Sequence, residues 1–65
     1  MEFQEFLDRL SKPAGRALLH EGIDRFEKLA RLTEKEFLAL HGIGPKSLPV
    51  AHECLHAVGL AFKTD

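Results

Sequence analysis

The stretch Leu40-His41-Gly42-Ile43-Gly44-Pro45-Lys46-Ser47-Leu48 decides the fold. Two glycines within three residues give the backbone access to φ > 0 and remove the Cβ that would hold another surface away. Pro45 follows at once, and its fixed φ and missing N–H suit the first position of a helix. The stretch therefore reads as a tight hairpin that opens directly into a helix. The first N–H groups of such a helix have no internal partner, and its dipole makes that end positive. Bare backbone of this kind can hold an anion, most naturally a phosphate. Lys46 adds a full charge there and Ser47 a hydroxyl.

Downstream, the spacing predicts a helix over Ser47–Val58, with Leu48, Ala51, Leu55 and Val58 on one face and Glu53 and Ala57 opposite. Pro49 falls in its first turn, so an irregular start is expected. Gly59 closes the helix, and Leu60 and Phe62 fold back on the core. Cys54, at the edge of the apolar face, reads as a small, partly buried packing residue. Upstream of the hairpin, Thr33-Glu34-Lys35-Glu36 has the form of a capping box and starts a helix over Glu34–Leu40, with Phe37, Leu38 and Leu40 as its apolar contacts.

Three further helices precede it. Phe3, Phe6, Leu7 and Leu10 give one apolar face over Glu2–Leu10. Pro13–Glu21 follows, capped by Ser11 or Lys12, with Ala17 and Leu18 its best core candidates, and Gly22 ends it. Asp24 and Glu27 have capping-box spacing and open a helix over Asp24–Arg31 that buries Phe26, Leu29 and Ala30. The expected core is Phe6, Leu18, Ile23, Phe26, Leu29, Phe37, Leu40, Ile43, Leu48, Leu55 and Leu60. Leu19-His20-Glu21-Gly22-Ile23 and Leu40-His41-Gly42-Ile43 form a faint internal repeat, read as two hairpin units of which the first is degenerate. Apolar and polar residues nowhere alternate over a useful length, so no strand is expected.

With 65 residues the chain is expected to form one domain, with 1–11 an N-terminal helix and 13–62 the core bundle. Hydrophobic residues at 45% and charged residues at 29% suit a globular protein rather than a disordered one. No apolar run could span a membrane, and Glu2, Glu5 and Asp8 are out of place in a signal peptide. With a single cysteine, these features lead us to expect a cytoplasmic protein. The net charge of −1 argues against strong, non-specific nucleic-acid binding. Charge is uneven, however. From Arg9 to Arg31 six basic residues face three acidic ones, although a solvated surface of mixed charge accounts for part of that.

The hairpin residues resemble the helix-hairpin-helix family, whose glycine-loop amides grip nucleic-acid backbone. From about Pro13 to Leu60 the chain also resembles the C-terminal domain of the bacterial RNA polymerase α subunit. The features that match are Leu32-Thr33-Glu34, Gly44 with Lys46-Ser47-Leu48, and Val58-Gly59-Leu60. The resemblance implies an all-α, SAM-like orthogonal bundle of five helices carrying one helix-hairpin-helix, and a setting in transcription. By alignment the family's hairpin glycine, lysine and serine fall on Gly44, Lys46 and Ser47. Its principal minor-groove arginine falls on Pro13, which cannot make that contact, and a neighbouring asparagine position holds Arg16. Half of the family's DNA surface is thus kept and half altered.

The candidate binding residues are accordingly Gly42, Ile43, Gly44, Lys46 and Ser47 at the hairpin, with Arg16 and Lys12 reaching the adjacent backbone or minor groove. The expected partner is double-stranded DNA, held weakly and largely without regard to sequence. The alternative is a protein–protein interaction module on the same scaffold, in which the Gly-Ile-Gly turn serves only helix reversal. His52 and His56 have the i, i+4 spacing of two zinc ligands, but no second cysteine or placed carboxylate completes a site, so no metal and no cofactor are expected. No serine has an evident base and no carboxylates pair, so neither catalysis nor a small-molecule substrate is expected.

Overall fold

The start and stop signals of the sequence translate into five helices. A computed structural model describes residues 1–64, as α1 (Phe3–Asp8), α2 (Lys12–His20), α3 (Phe26–Leu29), α4 (Glu34–Ala39) and α5 (Ser47–Ala57), with no strand among the described residues. The radius of gyration is 10.3 Å. One compact domain of this length should measure about 11 Å.

Each boundary has a local cause. Ser11 Oγ accepts from the Ala14 N–H at 3.3 Å and opens α2. At α4 the expected capping box forms: the Glu36 N–H donates to Thr33 Oγ1 at 3.0 Å, and the Thr33 N–H to Glu36 Oε1 at 2.8 Å. Gly22 and Gly59, both at φ 76°, end α2 and α5. In each case the next N–H reaches back to close a Schellman motif, Ile23 to Leu18 O at 2.9 Å and Leu60 to Leu55 O at 2.8 Å. The box expected at Asp24 and Glu27 does not form. Arg25 takes the N-cap position without a side-chain cap, and Asp24 instead pairs with Lys28 Nζ at 3.1 Å and Arg25 Nε at 3.5 Å. Two nearby cations outbid backbone amides for that carboxylate, and the Lys28 hydrogen bond holds it below its usual pKa.

The core gathers Phe6, Leu18, Ile23, Phe26, Leu29, Phe37 and Leu55, all expected. Leu40, Ile43, Leu48 and Leu60 are only partly buried and pack around it. Ala14, Ala51 and Cys54 are fully buried and Phe62 nearly so. Leu38, expected as an apolar contact of α4, is exposed. Cys54 is therefore a core residue, not an edge one. Its apolar surroundings push the thiol's pKa up, which keeps it unreactive. Aromatic edges hold the periphery. The Phe3 ring meets Phe26 at 5.0 Å and the Phe6 ring meets it at 5.8 Å, docking α1, and Phe62 meets Phe37 at 5.3 Å, docking the C-terminal segment on α4. The Lys63 N–H fixes that segment further by donating to Leu32 O at 2.9 Å.

The two repeated Gly-Ile steps have different backbones. At Gly22 the helix is capped. At Gly42 the helix has already ended: Leu40 is extended, and the Ile43 N–H donates to Leu40 O at 3.1 Å. With Gly42 at φ 95° this is a turn of type II character, which requires φ > 0 at its third residue. The turn lies against α2. A Cβ on Gly42 would stand 2.9 Å from Pro13 O and 3.4 Å from Ala17 Cβ. Ala17 is only half-buried because it faces this turn, whereas Ala14 enters the core.

Gly42→Val should accordingly lower stability by more than about 1 kcal/mol, since it combines a strained φ with a backbone clash. Gly44 has open space around it and no positive φ. Gly44→Ala should therefore leave the melting temperature nearly unchanged. Equal melting temperatures for Gly42→Val and the wild type would contradict this packing.

Candidate functional site

The contact at Gly42 joins two stretches that are distant in sequence, the start of α2 and the hairpin leading into α5. Two shallow grooves mark the junction. One is lined by Pro13, Arg16, Ala17, His41 and Gly42 among others. The second, of about 600 Å³, lies between Arg9, Leu10 and Ser11 on one side and Gly44, Pro45, Lys46, Ser47 and Val50 on the other. Arg16 thus borders the groove at Gly42, and Lys46 and Ser47 border the groove at Gly44. Lys12 is one turn from Arg16, in a further groove between α1 and α2 that also holds Asp8.

The donors divide unequally. The Ile43 N–H is engaged by Leu40 O, the Ser47 N–H by Gly44 O at 3.0 Å, and the Leu48 N–H by Pro45 O at 3.2 Å. Pro45 has no N–H. The hairpin therefore does not present the continuous run of amides expected from Ile43 to Lys46. Within Ile43–Lys46 the Gly44 and Lys46 N–H groups lack an acceptor among the described residues, as do the His41 and Gly42 N–H groups just before them. The same i→i−3 bonds form the irregular start of α5. Pro49 is the third residue of α5, in the first turn, where proline is tolerated.

Ser47 is 8% exposed, yet its hydroxyl makes no hydrogen bond within the described residues and is not sealed from the groove that it lines. Lys46 is exposed and, like Lys12 and Arg16, makes no ion pair among the described residues. Arg9 borders the same groove but is committed: its guanidinium pairs with Glu53 and lies 3.6 Å from Cys54 Sγ. The bond to Glu53 raises its pKa still further, so it stays charged but engaged. The arrangement can hold an anion on two amides, one hydroxyl and one ammonium group, with a second cation, Arg16, on the adjoining groove.

The sequence did not point to Arg9 or Ser11 as neighbours of the hairpin. Ser11 reads there as a helix cap and Arg9 as part of a basic run, and only the tertiary approach of the α1–α2 corner brings them to the hairpin. The paired histidines of α5 line neither groove. His52 Nε2 lies 3.0 Å from Glu34 Oε1 and its ring packs on Phe62, and no metal-binding cluster of His, Cys, Asp or Glu occurs among the described residues. No helix there is long and apolar enough to cross a membrane. Comparison with protein-family models, curated proteins and solved structures finds no match for this chain.

Amide hydrogen exchange checks the donor assignment. The Ile43 N–H should exchange distinctly more slowly than those of Gly44 and Lys46. Equal protection at the three positions would contradict it.

Proposed function

We propose that this protein is a non-enzymatic DNA-binding domain. On this reading Gly42 to Lys46 is the hairpin of a helix-hairpin-helix within an orthogonal bundle. It takes one phosphate of a duplex on the Gly44 and Lys46 amides, the Lys46 ammonium and the Ser47 hydroxyl. Ile43 serves as the partly buried pivot of the turn rather than as a donor. Arg16 and Lys12 reach the neighbouring backbone. The observation that supports the reading is the close seat of Gly42 on Pro13, at the junction of the groove bordered by Arg16 and the groove bordered by Lys46 and Ser47.

Contacts of this kind touch phosphate and carry little base information. The binding is therefore largely independent of sequence and weak, with Kd on the order of 10⁻⁴–10⁻⁶ M. Pro13 replaces the arginine of the polymerase domain that the chain resembles, and Arg16, one turn along α2, supplies the cation in its place. A transcriptional setting and a cytoplasmic location belong to that same resemblance. A protein-interaction module is the second reading. It is favoured by the net charge of −1 and by Leu19, 53% exposed beside Arg16 in the groove between α1 and α2. Salt separates the two, because counterion release weakens DNA binding steeply and an apolar interface little.

Titration of a short labelled duplex should give a slope of log K against log salt of roughly −2 to −3 for three phosphate contacts. Lys46→Glu should abolish binding. Lys46→Ala and Arg16→Ala should each weaken it by about three- to fivefold. Lys63→Glu should change it little, since Lys63 lines a separate groove with Thr33, Glu34 and Lys35. A flat salt response, or no binding at millimolar protein and low salt, would sink the DNA reading and favour the protein-interaction module.

A further inference from the structure

Two histidines border the proposed contact surface without a role in it. His20 ends α2, and His41 is the second residue of the Gly42 turn. They precede the two glycines of the internal repeat, and the fold brings both to the groove lined by Arg16 and Gly42. Both are exposed. The other charged groups facing this groove are Arg16 from α2 and Glu21 at its C-cap, while the hairpin contributes only His41. Glu21 Oε2 lies 3.8 Å from His20 Nδ1. Lys46 borders the neighbouring groove, and Lys12 lies one turn from Arg16.

The groove thus gathers two imidazoles, one guanidinium and one carboxylate. With both imidazoles neutral, Arg16 and Glu21 cancel. Each proton taken up adds one positive charge and a second N–H donor on that ring. Histidine changes charge between about pH 5 and pH 8, whereas a phosphodiester stays anionic throughout. We propose that His20, His41 and Arg16 form a second, proton-dependent phosphate contact, so that this protein binds nucleic-acid backbone more tightly as pH falls through the histidine range. The proposal rests on the nucleic-acid reading above. Its sign follows from linkage: an anion prefers the protonated groove, so the complex carries more protons than the free protein, and acid favours the complex.

The test is fluorescence anisotropy of a short labelled duplex at fixed ionic strength, at about pH 8 and about pH 5.5. The wild type should bind about five- to tenfold more tightly at the lower pH. The double variant His20→Gln/His41→Gln, which leaves His52 and His56 in place, should show less than about a twofold change. Both positions are exposed, and helical circular dichroism confirms that the variant is folded. Glu21→Gln should tighten binding at the higher pH, because it removes the charge that cancels Arg16. Binding with no pH response, or a response that survives in the double variant, overturns the proton-dependent contact and leaves the hairpin reading standing. No binding at either pH overturns both.

Discussion

The seat of the Gly42 backbone on the Pro13 carbonyl is the constraint on which the rest of this molecule depends. No side chain fits between a turn at φ 95° and an oxygen that a Cβ would approach to 2.9 Å. Once the turn is set there, α5 must start beside the end of α1 and the cap of α2. That places Lys46 and Ser47 across a groove from Ser11. It also fixes Arg16 beside the turn, on the adjoining groove. A site drawn from two stretches thus depends on one backbone contact that carries no charge of its own.

The helices are too short to be stable alone. α3 has four residues, and α1 and α4 six each. Isolated helices shorter than about 12–15 residues are marginal in water, so these form only because tertiary packing rewards them. The aromatic contacts around Phe26 and Phe62 and the caps at Thr33, Gly22 and Gly59 do that work locally. Lys12, Arg16 and Lys46 make no ion pair among the described residues and take no part in that packing. Arg9, which borders the same groove as Lys46, differs: its pairing with Glu53 ties the end of α1 to α5.

Much of this was legible in the sequence, because each signal acts within a few residues. Thr33 with Glu36, Gly22 with Ile23, and Gly59 with Leu60 all specify bonds that close inside one turn, and they form as expected. The failures are those of competition and of distance. Asp24 could cap a helix or pair with Lys28, and spacing alone does not decide between them. Ala14 and Ala17 are alike in sequence, and only the position of the hairpin assigns one to the core and the other to the turn. Cys54 lies at the edge of the α5 stripe, yet the docking of α1 buries it completely. At the candidate site the residue types were evident, but which amides remain free was not. Amide availability depends on the i→i−3 bonds of an irregular start, and these leave Gly44 and Lys46 rather than the whole loop.

On the proposed reading, the near-neutral net charge and the few free donors mean weak binding. The central claim is that the start of α2 and the hairpin act as one anion-binding surface. An NMR titration of the ¹⁵N-labelled protein with a short duplex tests it most directly. The account predicts that the amides of Gly44 and Lys46 and those of Lys12 and Arg16 shift together along a single binding curve. Shifts confined to one of the two stretches, or none near either at millimolar protein and low salt, would contradict it.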